Sequence, residues 1–148
     1  MNVIYMNEEL KKLIILENYQ NPKNRGLIDD KTYKEINTNS ESCIDQIDLQ
    51  VKLEDGIIKD IRFDGEACAI CTSSTSIMIN MLIGKTIEEA EVIINNFQNM
   101  IEEKEYDEKI LEEAIVYSDI SKQPNRKKCA TLTWDGMNKI LQEEKNER

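Results

Sequence analysis

Residues 43–54 alternate between apolar and polar side chains, and this alternation constrains the fold more than any other feature of the chain. After Cys43 and Asp45, Ile, Leu and Val occupy every second position from Ile47 to Leu53, with acidic residues, glutamines and a lysine between them. A period of two is typical of a strand with one buried face. Asp55 and Gly56 follow at once, and this dipeptide favours a tight hairpin turn. The pattern therefore predicts an antiparallel hairpin that continues to Phe63.

The second strand of this hairpin has a less regular pattern. Ile57, Ile61 and Phe63 are expected on its buried side, with Lys59 as an exception to the alternation. A weaker strand over residues 34–36 is expected to pair at the edge.

Helical patterns flank the hairpin. The first predicted helix begins after the capping residue Asn7 and ends at the loop 21–26. Further helices are predicted from Cys71 to Gly84, from Thr86 through Ile101, over residues 107–117, and from Cys129 onward. The charged tail, residues 142–148, is expected to fray. At 148 residues the chain is expected to form one domain, 1–148.

The charge of the chain limits its partners. The formal net charge is -10, and the strongest basic cluster is residues 126–128. Nucleic-acid binding normally requires a basic surface, so we expect no nucleic-acid partner. Residues 1–9 lack the features of a signal peptide and no run is long enough to span a membrane, which favours a cytoplasmic location. In such a reducing compartment, cysteines indicate metal or sulfur chemistry rather than disulfides.

The chain has four cysteines and no histidine, which excludes Cys-His pairs and imidazole ligands. Cys43 and Asp45 share the parity of the apolar strand residues, so both are expected to face the covered side of the sheet. Cys68 precedes a predicted helix and Cys129 begins another. Three thiolates and a carboxylate satisfy a tetrahedral zinc site, and thiolates also suit iron-sulfur clusters. Cysteines that act as small buried apolar residues are the alternative, and the residues alone leave both interpretations open.

Cys68 and Cys71 also form a Cys-x-x-Cys pair. In a thioredoxin-like fold this pair would be redox-active. The surrounding sequence lacks the alternating strand-helix order of that fold, so we favour a small helix-facing role for Cys71.

Three segments resemble the U-type iron-sulfur assembly family, the IscU/NifU/SufU group. They are residues 15–26 (ILENYQNPKNRG), 64–70 (DGEACAI, followed by the small residues Ser73, Ser74 and Ser76) and 126–134 (RKKCATLTW). Two features are similar to the SufU branch in particular. Lys128 stands where IscU members have histidine, and an acidic helical piece over residues 102–119 lengthens the interval before Cys129.

The resemblance implies an α+β fold of the SufE/NifU type, in which helices cover one face of a small three-stranded antiparallel sheet. It also implies that Cys43, Asp45, Cys68 and Cys129 bind one zinc ion. Arg126 matches an arginine of that branch that pairs with Asp45 when the carboxylate leaves the metal.

The function implied by the resemblance is sulfur relay. A SufS-type cysteine desulfurase would transfer sulfane sulfur to Cys43 as a persulfide, and downstream iron-sulfur assembly proteins would receive it. Two alternatives stay open: the same residues could hold a nascent two-iron cluster, as on an IscU scaffold, or the zinc could be purely structural.

Some residues depart from the family pattern. Ile44 and Ala67 replace glycines, and residues 40–42 replace a segment that contains proline. A loop without these glycines is expected to exchange ligands less freely. Cys71 replaces a residue that is commonly serine, and its role as a spare thiol is a hypothesis.

Overall fold

The computed structural model describes residues 7–39 and 45–147. Its centre is an antiparallel sheet in the order β1-β2-β3, formed by β1 (Lys34–Asn39), β2 (Gln46–Glu54) and β3 (Ile57–Glu66). Asp55 and Gly56 both have positive φ, 53° and 73°, as this type of tight hairpin turn requires. The predicted hairpin and its edge strand are confirmed.

The buried face of β3 differs from the prediction at one end. The pairing register of β2 and β3 shifts between Lys52 and Leu53. Such a bulge reverses the side on which the following residues lie. Ile58 is therefore fully buried together with Ile61, whereas Ile57 is only partly buried. The expectation that Ile57 lines the core was wrong for this reason.

In the described ranges, helices cover one face of the sheet. They are α1 (Glu8–Gln20), α2 (Ala69–Leu82), α3 (Ile87–Ile101), α4 (Glu108–Leu111), two 3-10 segments (Glu112–Tyr117 and Ile120–Lys122) and α5 (Pro124–Asn146). Helix α5 contacts β1 and β2, and α2 contacts β3. Ile47, Leu49 and Val51 of β2 are fully buried against this layer. The expected α+β architecture is confirmed, and none of these helices is long and apolar enough to cross a membrane.

Helix α5 differs from its predicted bounds at both ends. It begins at Pro124 rather than at Cys129, because the fixed φ of proline suits the first helical turn. It continues to Asn146 instead of fraying at residue 142. The Lys34 ammonium lies 3.3 Å from Glu144 and 3.0 Å from Glu147, which holds this end of the helix against β1.

Two other helices also differ from their predicted bounds. Helix α2 begins at Ala69, two residues before the predicted start at Cys71. The predicted helix over residues 107–117 is divided into α4 and a 3-10 segment at Glu112, which has a φ of 45°. A positive φ at a residue other than glycine interrupts a right-handed helix, so the sequence period alone did not reveal this break.

Residues 21–33, which we call the strap, run along the free edge of β3 and reach the opposite face of the sheet at Gln50. At the edge, Arg25 forms a parallel bridge with Phe63, and the backbone N–H of Gly26 donates to the Phe63 carbonyl at 2.7 Å. The Gln50 amide exchanges two 2.8 Å hydrogen bonds with the backbone of Ile28. Gln50 is consequently only 5% exposed, although its place in the alternation predicts an exposed side chain.

Candidate metal centre

Cys68 is the N-cap residue of α2. It lies in the turn between β3 and α2, and its Sγ accepts a hydrogen bond from the backbone N–H of Cys71 at 3.4 Å. The side chain is exposed, so the sulfur at this helix cap is accessible from solvent. The predicted position just before a helix is confirmed.

Asp45 connects the beginning of β2 to the beginning of α2. One carboxylate oxygen, Oδ1, accepts a hydrogen bond from the backbone N–H of Cys68 at 2.6 Å. The other, Oδ2, accepts from the Cys68 thiol at 3.4 Å. The residue is 1% exposed, and a carboxylate this deeply buried requires such partners. The carboxylate is therefore fixed beside the Cys68 sulfur.

Cys129 approaches the same point from the second turn of α5. It is 7% exposed, and its thiol donates to the Asn125 carbonyl at 3.5 Å. The Sγ atoms of Cys129 and Cys68 and a carboxylate oxygen of Asp45 all lie within 4.8 Å of one another. Sulfur and oxygen donors at such spacing fit zinc, whose bonds to them are about 2.0–2.3 Å long.

Cys43 and Arg126 are the remaining predicted site residues. Cys43 lies outside the described residues, so its role as a ligand and as the sulfur acceptor stays a prediction. Arg126 is exposed in the first turn of α5. It lines the same cavity as Cys68 and Cys129.

This cavity has a volume of about 590 Å³ and opens beside the two thiols. Its lining includes the apolar and aromatic residues Ile15, Leu16, Tyr19 and Ile70. Its charged lining residues are the cations Lys12 and Arg126. Although the chain has a net charge of -10, the described residues lining this cavity include no acid.

A buried polar contact surface fixes α2 against α5. Residues 72–76 of α2 all carry hydroxyl groups and are all buried. Ser74 Oγ accepts from the Trp134 indole N–H at 2.9 Å, and the Thr75 and Thr133 hydroxyls lie 2.8 Å apart. These contacts set the distance between Cys68 and Cys129. Sequence reasoning noted the small residues but missed this role, although a run of hydroxyls inside an apolar helix was a usable signal.

The acidic piece between α3 and α5 also contacts the start of α2. The Tyr117 hydroxyl is hydrogen-bonded to Ser73. Burial raises the pKa of Tyr117, and the nearby thiols of Cys71 and Cys68 raise it further, against the opposing effect of the Ser73 hydrogen bond. Tyr117 therefore stays neutral and keeps its hydroxyl hydrogen for this contact.

Comparison with known proteins agrees with the fold. Residues 10–138 match the family described as NifU-like N terminal domain, and the chain belongs to this family. The chain is 36% identical over 138 residues to the zinc-dependent sulfurtransferase SufU of Bacillus subtilis, covering 93% of this chain and 92% of that protein. It is 37% identical over 127 residues to the iron-sulfur cluster assembly scaffold protein IscU of Thermotoga maritima, covering 86% of this chain and 89% of that one.

Solved structures of related proteins have the same fold. A protein from Fervidobacterium islandicum AW-1, assigned as the iron-sulfur cluster assembly scaffold of the SUF system, superposes with a TM-score of 0.77 at 34% identity, covering 82% of this chain and 89% of that one. A NifU-like N-terminal domain from Brucella abortus has a TM-score of 0.79 over 96% of this chain and all of its own, and at 20% identity it supports the fold alone. The expected family is confirmed.

Proposed function

We propose that this chain is an iron-sulfur cluster assembly protein that accepts sulfur as a persulfide from a SufS-type cysteine desulfurase. The observation that carries the proposal is the convergence of two thiols and a buried carboxylate within 4.8 Å, beside an open cavity. The similarity to a zinc-dependent sulfurtransferase supports it. In this proposal residues 1–148 act as one cytoplasmic domain that passes sulfur to downstream assembly proteins.

The donor set fits zinc, with Asp45, Cys68 and Cys129 as three ligands and Cys43 as the fourth. Cys43 precedes Asp45 by two positions, and two residues span at most about 7 Å, so covalent geometry keeps it within reach. When bound, zinc keeps thiols deprotonated and exchanges ligands without redox change. The Cys68 backbone N–H donates to Asp45 Oδ1 and holds the carboxylate beside the Cys68 sulfur.

The proposed transfer begins at Cys43. Its thiolate attacks the outer sulfur of the desulfurase persulfide, a new S–S bond forms at Cys43, and the desulfurase cysteine leaves as a thiolate. Arg126 is assigned to pair with the Asp45 carboxylate while Cys43 reacts, a role that rests on the family resemblance. Its position on the cavity wall, near Cys68 and Cys129, supports this assignment.

The cavity suits the approach of such a donor. A persulfide is anionic, and Lys12 and Arg126 supply positive charge on the wall of the cavity. Leu16 and Tyr19 remain 46% and 44% exposed beside them, so apolar side chains of the donor can pack there. The desulfurase segment that enters is therefore expected to combine apolar residues with negative charge.

The test is desulfurase turnover with and without the zinc-loaded protein. We expect an at least tenfold increase in turnover, lost in Cys43→Ala because the acceptor sulfur is gone. Cys71→Ser is the matched control, since it removes a thiol that the transfer does not use. Absence of stimulation by the zinc-loaded protein would refute sulfur acceptance and leave a structural zinc module.

A second candidate is a scaffold for a two-iron cluster. The same thiols and carboxylate could hold iron, and the similarity to the Thermotoga maritima scaffold protein favours this reading. Anaerobic incubation with iron and sulfide distinguishes the two. A coloured, oxygen-sensitive cluster would support the scaffold, whereas retained zinc without colour supports sulfur acceptance.

A further inference from the structure

Cys71 is a cysteine to which the proposed sulfur transfer gives no role. It lies at the third position of α2 and is fully buried, whereas Cys68 at the N-cap is exposed. The backbone N–H of Cys71 donates to Cys68 Sγ at 3.4 Å. The structure therefore places an exposed thiol at the helix cap and a buried thiol in the first turn beneath it.

This geometry suits a disulfide between the two residues. Residues three apart in a helical turn have Cα atoms about 5 Å apart, within the range of about 4.4–6.8 Å that disulfides require. A second observation is the hydrogen bond from the Cys71 backbone N–H to Cys68 Sγ at 3.4 Å, which holds the Cys68 sulfur over the turn that carries Cys71. The fold is not thioredoxin-like, but this arrangement depends only on the helix N-terminus and not on the rest of the fold.

We propose that Cys68 and Cys71 are a redox-active dithiol, in which Cys71 releases sulfane sulfur from Cys68 as hydrogen sulfide. This inference rests on the proposed function, which brings a persulfide to the site. First, Cys68 sulfur attacks the outer sulfur of that persulfide, forming a Cys68 persulfide and releasing the donor thiol. Cys71 sulfur then attacks Cys68 Sγ, the bond to the outer sulfur breaks, and hydrogen sulfide leaves with the proton of the Cys71 thiol.

The second step needs no further oxidant or reductant, because the electrons balance within the persulfide and the two cysteines. The two cysteines lose two electrons as their disulfide forms, and the sulfane sulfur gains them as it becomes sulfide. A cellular dithiol reductant then returns the pair to thiols. The chain would thus deliver sulfide in addition to holding persulfide.

Burial sets the order of the two steps. Cys68 is exposed and can meet a donor, whereas Cys71 is 0% exposed and can react only with sulfur already on Cys68. Metal binding is expected to oppose the reaction, because Cys68 cannot ligate a metal and form the disulfide at once.

The experiment uses the full chain, reduced, metal-free and without added reductant. One equivalent of cysteine persulfide is added, released hydrogen sulfide is measured, and cysteine pairing is mapped by mass spectrometry after alkylation. We expect about one sulfide per chain and a disulfide joining Cys68 to Cys71. In Cys71→Ser the protein should keep the added sulfur, and release should fall at least tenfold. Zinc-loaded wild type should form the disulfide at least tenfold more slowly.

A second variant, Cys71→Ala, is tested in case Cys71→Ser does not fold. The disulfide is mapped in the wild-type protein, so that measurement does not depend on either variant. Unchanged sulfide release in a folded Cys71 variant, or a disulfide joining Cys68 to another cysteine, would refute the proposal. The assay bypasses the desulfurase, so its failure is separable from failure of the proposed function. In the latter case neither wild type nor Cys71→Ser would stimulate the desulfurase.

Discussion

Gly65, near the end of β3, has a backbone conformation that side chains oppose. Its φ is 138°, and a Cβ atom at this position would lie 2.1 Å from the Gln46 carbonyl oxygen. The Arg25 guanidinium also donates to the Gly65 carbonyl at 2.7 Å. The glycine thus allows β3 to pass close to β2 just before the chain turns into the Cys68 region.

Gly65→Ala should lower the free energy of unfolding by about 2–4 kcal/mol, because it adds both backbone strain and a clash with the backbone. Gly84→Ala is the matched control. Its φ is also positive, 89°, but no atom lies within 4 Å of the added carbon, so about 1 kcal/mol is expected. Urea unfolding of both variants measures the difference, and equal losses would contradict the steric argument.

The replacement of a family glycine by Ala67 has no comparable backbone cost. Among the described residues, positive φ outside glycine occurs at Asn24, Asp55, Glu103 and Glu112, and not at Ala67. An alanine adopts negative φ without strain. The other replaced glycine, at Ile44, lies outside the described residues.

The packing of α2 against α5 is decided by a few buried hydrogen bonds. Ser74 Oγ donates to the Ala130 carbonyl at 2.6 Å and accepts from the Trp134 indole at 2.9 Å. The Thr75 hydroxyl has an alternative to its contact with Thr133, because it also lies 2.8 Å from the Cys71 carbonyl. Removal of the Ser74 hydroxyl and removal of the Thr133 hydroxyl should therefore lower the free energy of unfolding by unequal amounts.

Ser74→Ala should cost about 1–3 kcal/mol of unfolding free energy, because it leaves the buried Trp134 N–H without an acceptor. Thr133→Val removes a hydroxyl of similar burial but leaves Thr75 bonded to the Cys71 carbonyl, so less than about 1 kcal/mol is expected. Chemical denaturation monitored by Trp134 fluorescence compares the two. A larger loss in Thr133→Val would contradict this account of the interface.

For the molecule as a whole, the candidate ligands connect elements that are distant in sequence. Asp45 precedes β2, Cys68 caps α2, and Cys129 lies in α5. A metal bound by these residues binds the folded state and not an unfolded chain with separated ligands. Metal binding should therefore stabilise the entire fold.

Zinc at 100 times its Kd should raise the unfolding free energy by about 2.7 kcal/mol, which corresponds to roughly 5–10 °C in Tm for a chain of this size. Calorimetry before and after removal of zinc with a chelator measures the gain. Asp45→Ala should reduce the zinc-dependent gain, whereas Cys71→Ser should keep it because Cys71 is outside the ligand group. An equal gain in wild type and Asp45→Ala would exclude the carboxylate as a ligand.

The sequence by itself determined the features that depend on neighbouring residues. Alternation and the Asp55-Gly56 turn specify the hairpin, because strand period and turn chemistry act within a few positions. The position of Cys68 before a helix is local in the same sense. The donor types, thiolates and a carboxylate without histidine, were also evident from the sequence alone.

Only the tertiary structure decided how these parts meet. It brings Cys129 to Cys68, buries Gln50 beneath the strap, and separates an exposed Cys68 from a buried Cys71. These outcomes depend on how helices and loops pack across the sheet, and side-chain periodicity carries no information about that packing. The bulge that buries Ile58 is a similar case, since a change of register becomes visible only when both strands are paired.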